Sequence, residues 1–145
     1  VEIDTVVLHA TERGALWQVK KVFATPEYAV SAHLTIGKRG EIICHVPFEK
    51  RAWHAGVSRM PDGRNDVNDF SIGIELLNRN NGIDSYPDAQ KAHLRAVLHE
   101  ICEVFDIKFV VSHRAIALPQ GRKSDPVGLD SVEVAQACSE ALLIW

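Results

Sequence analysis

Three apolar runs in this chain each end in a side chain that can bind a metal or carry a proton. Ile3–Leu8 runs into His9, Phe70–Ile74 into Glu75, and Phe109–Ser112 into His113. Shortly after His113, the loop Gly121-Arg-Lys-Ser-Asp-Pro126 offers Asp125 as a third ligand beside the two histidines. Two imidazoles and a carboxylate are the usual protein ligands of a catalytic zinc, which keeps a fourth position for water. Water held there has its pKa lowered from above 15 to roughly 7, so a nucleophile becomes available at neutral pH. A lone histidine is more often packed or solvated than ligating. If the three runs lie parallel, however, their polar ends emerge at one carboxyl edge, where open α/β sheets bind ligands.

The other histidines carry less. His93 and His99 stand six apart in one helical stretch, and His99-Glu-Ile-Cys-Glu103 lacks the second histidine of the HExxH zinc motif, so both read as ordinary helix residues. His33 and His45 flank a hairpin and can face either way. Trp53 and His54 sit in a loop rich in Gly, Pro, Asn and Asp between Pro47 and Asp69. There an indole can line a groove, or it can pin the loop to the core; both readings stay open.

The elements that would position these residues follow from periodicity. Ile3–Leu8 reads as a first strand, and Thr11 as the cap of a helix reaching Phe23, with Leu16, Val19, Val22 and Phe23 at helical spacing. His33–Ile36 and Glu41–Val46 flank Lys38-Arg39-Gly40 as a hairpin. Phe70–Leu76 suits a buried central strand. Pro87 opens the clearest helix, with Leu94, Val97, Leu98, Ile101 and Phe105 on one face, and a strand follows at Phe109–Ser112. Asp130 and Glu133 have capping-box spacing, so a last helix is expected from there toward Trp145. The fold class expected is α/β: a mixed central β-sheet with flanking helices.

The chain of 145 residues is long enough for a hydrophobic core without disulfides or structural metals, and neither repeats nor a linker divide it, so residues 1–145 read as a single domain. With 46% hydrophobic and 24% charged residues and no bilayer-length apolar run, it reads as soluble and not membrane-inserted. A net charge of -3 gives no reason to expect nucleic acid as a partner. Cys44, Cys102 and Cys138 are odd in number and lack CxxC spacing, so packed or idle thiols are expected rather than a disulfide framework. Val1 leads straight into a strand without a methionine, which reads as a trimmed start and says little about compartment.

Seven segments, in order, resemble one family. They are VVLHAT (6–11), VSAHLTI (30–36), the hairpin GKRGEI, VPFEKRAWHAGVS (46–58), NDFSIGIEL (68–76), VSHRAIA (111–117) and GRKSDP (121–126). The chain is similar to the zinc N-acetylmuramoyl-L-alanine amidases of the AmpD and AmiD kind, related to phage lysozyme-type amidases and to peptidoglycan recognition proteins. The resemblance implies that fold, with His9, His113 and Asp125 as zinc ligands, Glu75 activating the water and Lys123 stabilising transition-state charge. It implies hydrolysis of the amide between N-acetylmuramic acid, or its anhydro form, and L-alanine in peptidoglycan or muropeptides. Arg51, Trp53, His54, Asn68 and Arg122 are the substrate-groove candidates; Arg51 and Arg122 could meet stem-peptide carboxylates or form surface ion pairs.

Some relatives use a tyrosine where this chain has Ala32, which strengthens Glu75 as the base. Val127 replaces the glycine usual after the Asp-Pro pair, and Ala10 a larger residue after the first histidine, so the loop beyond Asp125 and preference near the sugar are open to difference. The rival reading is a non-catalytic peptidoglycan-binding module, disfavoured by the presence of Asp125, Glu75 and Lys123 together. A cell-envelope location, periplasmic or secreted, is expected ahead of cytoplasmic muropeptide recycling. Oligomeric state is not legible.

Overall fold

The computed structural model, which describes residues 1–145, sets β1 (Thr5–Ala10) at the centre of a six-stranded sheet. On one side β1 pairs in parallel with β4 (Ser71–Leu76), and on the other with β5 (Phe109–Ser112). Beyond β4 lies β2 (Leu34–Ile36), parallel to it, and then β3 (Ile42–Cys44), antiparallel to β2 across the expected hairpin. The sixth strand, β6 (Leu142–Ile144), closes the far edge in parallel with β5. The fold is therefore the α/β class read from the sequence, with a mixed sheet and helices α1 (Leu16–Phe23), α2 (Asp88–Val104), α3 (His113–Ile116) and α4 (Val132–Ala135) around it. No helix is long and apolar enough to cross a membrane.

Because strand side chains alternate between faces, the central strands sort their residues into two chemistries. Val6 and Leu8 of β1 with Ile72, Ile74 and Leu76 of β4 face α2, where Leu94, Leu98 and Ile101 complete the larger core. Each such side chain contributes roughly 1.5–3 kcal/mol on burial. The opposite face carries Val7 and Val111 at one end, packed on Met60, Val67 and Ile116, and toward the carboxyl edge it turns polar with Gly73, His9 and Glu75. One apolar face thus anchors the sheet so that the other can present chemistry.

Three expectations are corrected. The first helix starts at Leu16, not near Thr11: the Thr11 hydroxyl accepts from the Arg13 and Asn78 amides, and the Gln18 side chain takes the Gly14 and Ala15 amides instead. The last helix is a single turn, α4, after which the chain extends into β6. Glu133 does not complete a capping box but pairs with Lys91 and Arg95 of α2. Finally, Cys102 and Cys138 are joined by a disulfide with Cα atoms 6.0 Å apart, tying α2 to the segment between α4 and β6. Only Cys44 is a free thiol, and it is exposed.

Candidate metal centre and its cleft

Strand register builds the centre. His9 and Glu75 are paired neighbours on β1 and β4, so their side chains leave the sheet on the same face. His113 follows directly on the end of β5, at the start of α3. Asp125 arrives on the loop before α4, held there because its carbonyl accepts from the Arg114 amide and its Oδ2 from the Ala10 amide, at 3.0 and 3.2 Å.

These elements bring His9, His113 and Asp125 together, each almost fully buried, with one candidate donor atom from each within 4.8 Å of the others. Asp125 faces His9 Nδ1 at 3.5 Å and His113 Nδ1 at 3.1 Å. The far nitrogen of His113, Nε2, lies 3.1 Å from the Ala55 carbonyl oxygen. A carbonyl can only accept, so Nε2 bears a proton there, and Nδ1 is the nitrogen that faces Asp125. His9 is neutral at physiological pH, its pKa lowered to about 4 by burial first and by the neighbouring His113. Asp125 Oδ1 is buried without a hydrogen-bond partner. Two imidazole Nδ1 atoms and one carboxylate converge in this buried pocket, a donor set that fits a divalent metal.

Glu75 stands beside this cluster with its Oε2 atom buried and unpartnered. Burial, then the charges of Asp125 and Glu12, raise its pKa to about 8, and Lys123 partly opposes them. A carboxyl tuned close to neutrality in a cleft is the usual mark of a proton-transfer group. Ala32, where some relatives have a tyrosine, is fully buried and supplies no competing acid or base.

The cluster floors a cleft of about 530 Å³, lined by all ten residues singled out from the sequence: His9, His113, Asp125, Glu75, Lys123, Arg51, Trp53, His54, Asn68 and Arg122. Val22, Phe23 and Val30 add an apolar wall, and Glu12 and Arg13 a charged rim that the sequence reading passed over. The substrate-groove candidates differ in what they do. Trp53 is half exposed and offers its indole face. Arg51 is in an ion pair with Asp69. The Arg122 guanidinium is braced on the carbonyls of Leu118, Ala55 and Val57. Asn68 is buried and its Oδ1 accepts from the His54 and Ala55 amides, at 3.1 and 2.8 Å, so it shapes the loop. His54 is buried too, its ring against His9. Ser71 and Gly73, which complete that neighbourhood, were not read from the sequence; their alternation with Glu75 along β4 was the available signal.

The pattern of the N-acetylmuramoyl-L-alanine amidase family matches residues 1–128, which include the whole cluster. The chain belongs to that family. Within it, AmpD, the 1,6-anhydro-N-acetylmuramyl-L-alanine amidase of Escherichia coli K12, is 50% identical over 101 residues, covering 67% of this chain and 51% of AmpD. AmiD of the same strain is 40% identical over 90 residues, covering 56% and 32% of the two chains. The chain spans about half the length of the curated relatives it matches. Among solved amidase structures, a selenomethionine AmpD derivative superposes with a TM-score of 0.79 at 33% identity, over 94% of this chain and 85% of that one. AmiD from E. coli, in complex with anhydro-N-acetylmuramic acid-L-Ala-D-γ-Glu-L-Lys, superposes at 0.78 with 30% identity, over 93% and 57%.

Proposed function

We propose that this chain is a zinc-dependent amidase that hydrolyses the amide joining N-acetylmuramic acid, or its anhydro form, to the L-alanine of a peptidoglycan stem peptide. The observation that carries the proposal is the convergence of His9, His113 and Asp125 at the floor of a cleft that also holds Glu75 and Lys123. A protein that only bound wall fragments would need the cleft but not a perturbed carboxyl beside three inward-facing acceptors. Two imidazole nitrogens with one carboxylate oxygen are a usual protein ligand set of catalytic zinc, and the family supports that ion. The sugar-peptide specificity is supported by the family and by the AmiD complex.

His9, His113 and Asp125 would hold the zinc, which when bound acidifies water and polarises the scissile carbonyl. Glu75 accepts the proton of the attacking water and delivers it to the departing L-alanine amine. Lys123 places positive charge against the oxygen that becomes negative as the carbonyl carbon turns tetrahedral. Trp53 provides a flat face for the sugar or peptide, and the arginines at 51 and 122 line the rim where stem-peptide carboxylates would lie.

The test is digestion of soluble anhydro-muropeptide and of intact sacculi by zinc-loaded protein, with products read by mass. A free L-alanine amine together with the released muramoyl carboxylate is expected; a zinc-loaded protein that cuts neither substrate overturns the activity. We further propose an oxidising compartment in the cell envelope, supported by the Cys102–Cys138 disulfide, since cytosolic proteins rarely keep such bonds.

A further inference from the structure

His9 offers Nδ1 to the metal only if its other nitrogen carries the proton, and a chain of three hydrogen bonds behind the ring bears on that choice. His9 Nε2 lies 3.0 Å from His54 Nδ1, and His54 Nε2 lies 3.2 Å from Ser71 Oγ. Ser71 Oγ in turn lies 2.6 Å from the Val67 carbonyl oxygen. A carbonyl cannot donate, and the shorter contact takes the serine's only proton, so Ser71 is left to accept from His54 Nε2. With its Nε2 proton given to Ser71, His54 turns Nδ1 to His9 Nε2 at 3.0 Å, where it accepts. Each link leaves the next one a single option.

The geometry points to His54 and Ser71 as positioning residues: a one-way relay ending on the Val67 carbonyl that locks His9 in the Nε2–H tautomer and aims its Nδ1 lone pair at the metal. The surroundings are shaped for this ring. A β-carbon at Gly73 would come within 2.3 Å of His54 Cγ, so β4 gives up a side chain there to admit the imidazole. Asn68 Oδ1 holds the backbone amides of His54 and Ala55, fixing where the ring starts. His113 needs no relay, because the Ala55 carbonyl meets its Nε2 directly at 3.1 Å. The same short segment, residues 54–55, therefore orients both metal-binding histidines. Outer hydrogen bonds of this kind are worth roughly 10- to 100-fold in metal affinity.

The inference rests on the metal-site reading, and the test separates the two. Zinc affinity is measured by chelator competition for the wild type and for His54→Leu, His54→Asn and Ser71→Ala. Asparagine keeps an acceptor oxygen near the place of Nδ1, whereas leucine fills the space without one. The expected result is roughly 10- to 100-fold weaker binding for His54→Leu, a smaller loss for Ser71→Ala, and recovery toward wild type for His54→Asn. Nitrogen-15 spectra of the metal-free wild-type chain report the tautomers directly and do not depend on any variant folding; both His9 and His54 should carry their proton on Nε2. A wild type that binds no zinc removes the metal site itself. A wild type that binds zinc, with His54 protonated on Nδ1 or with His54→Leu binding as tightly as His54→Asn, overturns the relay alone.

Discussion

Glu75 is where the chemistry is most exposed to test, because its environment ties catalysis to stability. Its carboxyl has a pKa near 8 in the fold against 4.5 in the free side chain, owing to burial and the nearby Asp125 charge. The folded state therefore holds a proton that the unfolded chain has already released across that window. Stability from this group is fully present below about 4.5 and is lost as pH rises toward about 8. In metal-free protein, Glu75→Gln keeps the shape and removes the ionisation, so thermal unfolding should show it more stable than wild type at pH 8, by at least about 1 kcal/mol, with a smaller difference at pH 5. The same substitution should leave zinc affinity within a few-fold yet lower amidase turnover by roughly 10²–10⁴-fold, as expected when a general base is removed. Equal turnover in the variant would move the proton transfer to another group.

At the level of elements, β1, β4 and β5 are legible as strands because each is an apolar run ended by a polar residue, and two buried faces demand such runs. That is why the sequence alone groups His9, Glu75 and His113 at the ends of such runs. The parallel pairing of these strands is only a condition in the sequence and is met by the register. The C-terminal end was not legible. Asp130 to Glu140 has helix-compatible composition, but Leu142–Ile144 finds an unpaired edge on β5, and that edge is a long-range fact. Nor was the disulfide: Cys102 and Cys138 are 36 residues apart, and only the packing of α2 against the C-terminal segment makes them neighbours. Ser71 and Gly73 escaped for a related reason, since their role depends on which ring fills the space over β4. Because the disulfide closes a long loop and holds an edge strand in place, a Cys102→Ser/Cys138→Ser double variant should lose about 2–4 kcal/mol in denaturant unfolding. An unchanged midpoint would mean that β6 and α4 stay docked without it.

Considered as a whole, the molecule divides labour between two sides of one sheet. The α2 side holds the aliphatic core, and the opposite side is apolar at its base and polar at its carboxyl edge, where the cleft opens. Every part of the proposed activity depends on three side chains from separate stretches of chain meeting around one ion. Calorimetric titration of chelator-treated protein with zinc tests this most directly, run on the wild type and on His9→Ala, His113→Ala and Asp125→Ala. One tight zinc per wild-type chain, lost or greatly weakened in each variant while the chains remain folded, is the predicted result. A wild type that takes up no zinc, or folded variants that bind it as tightly as the wild type, would contradict the account.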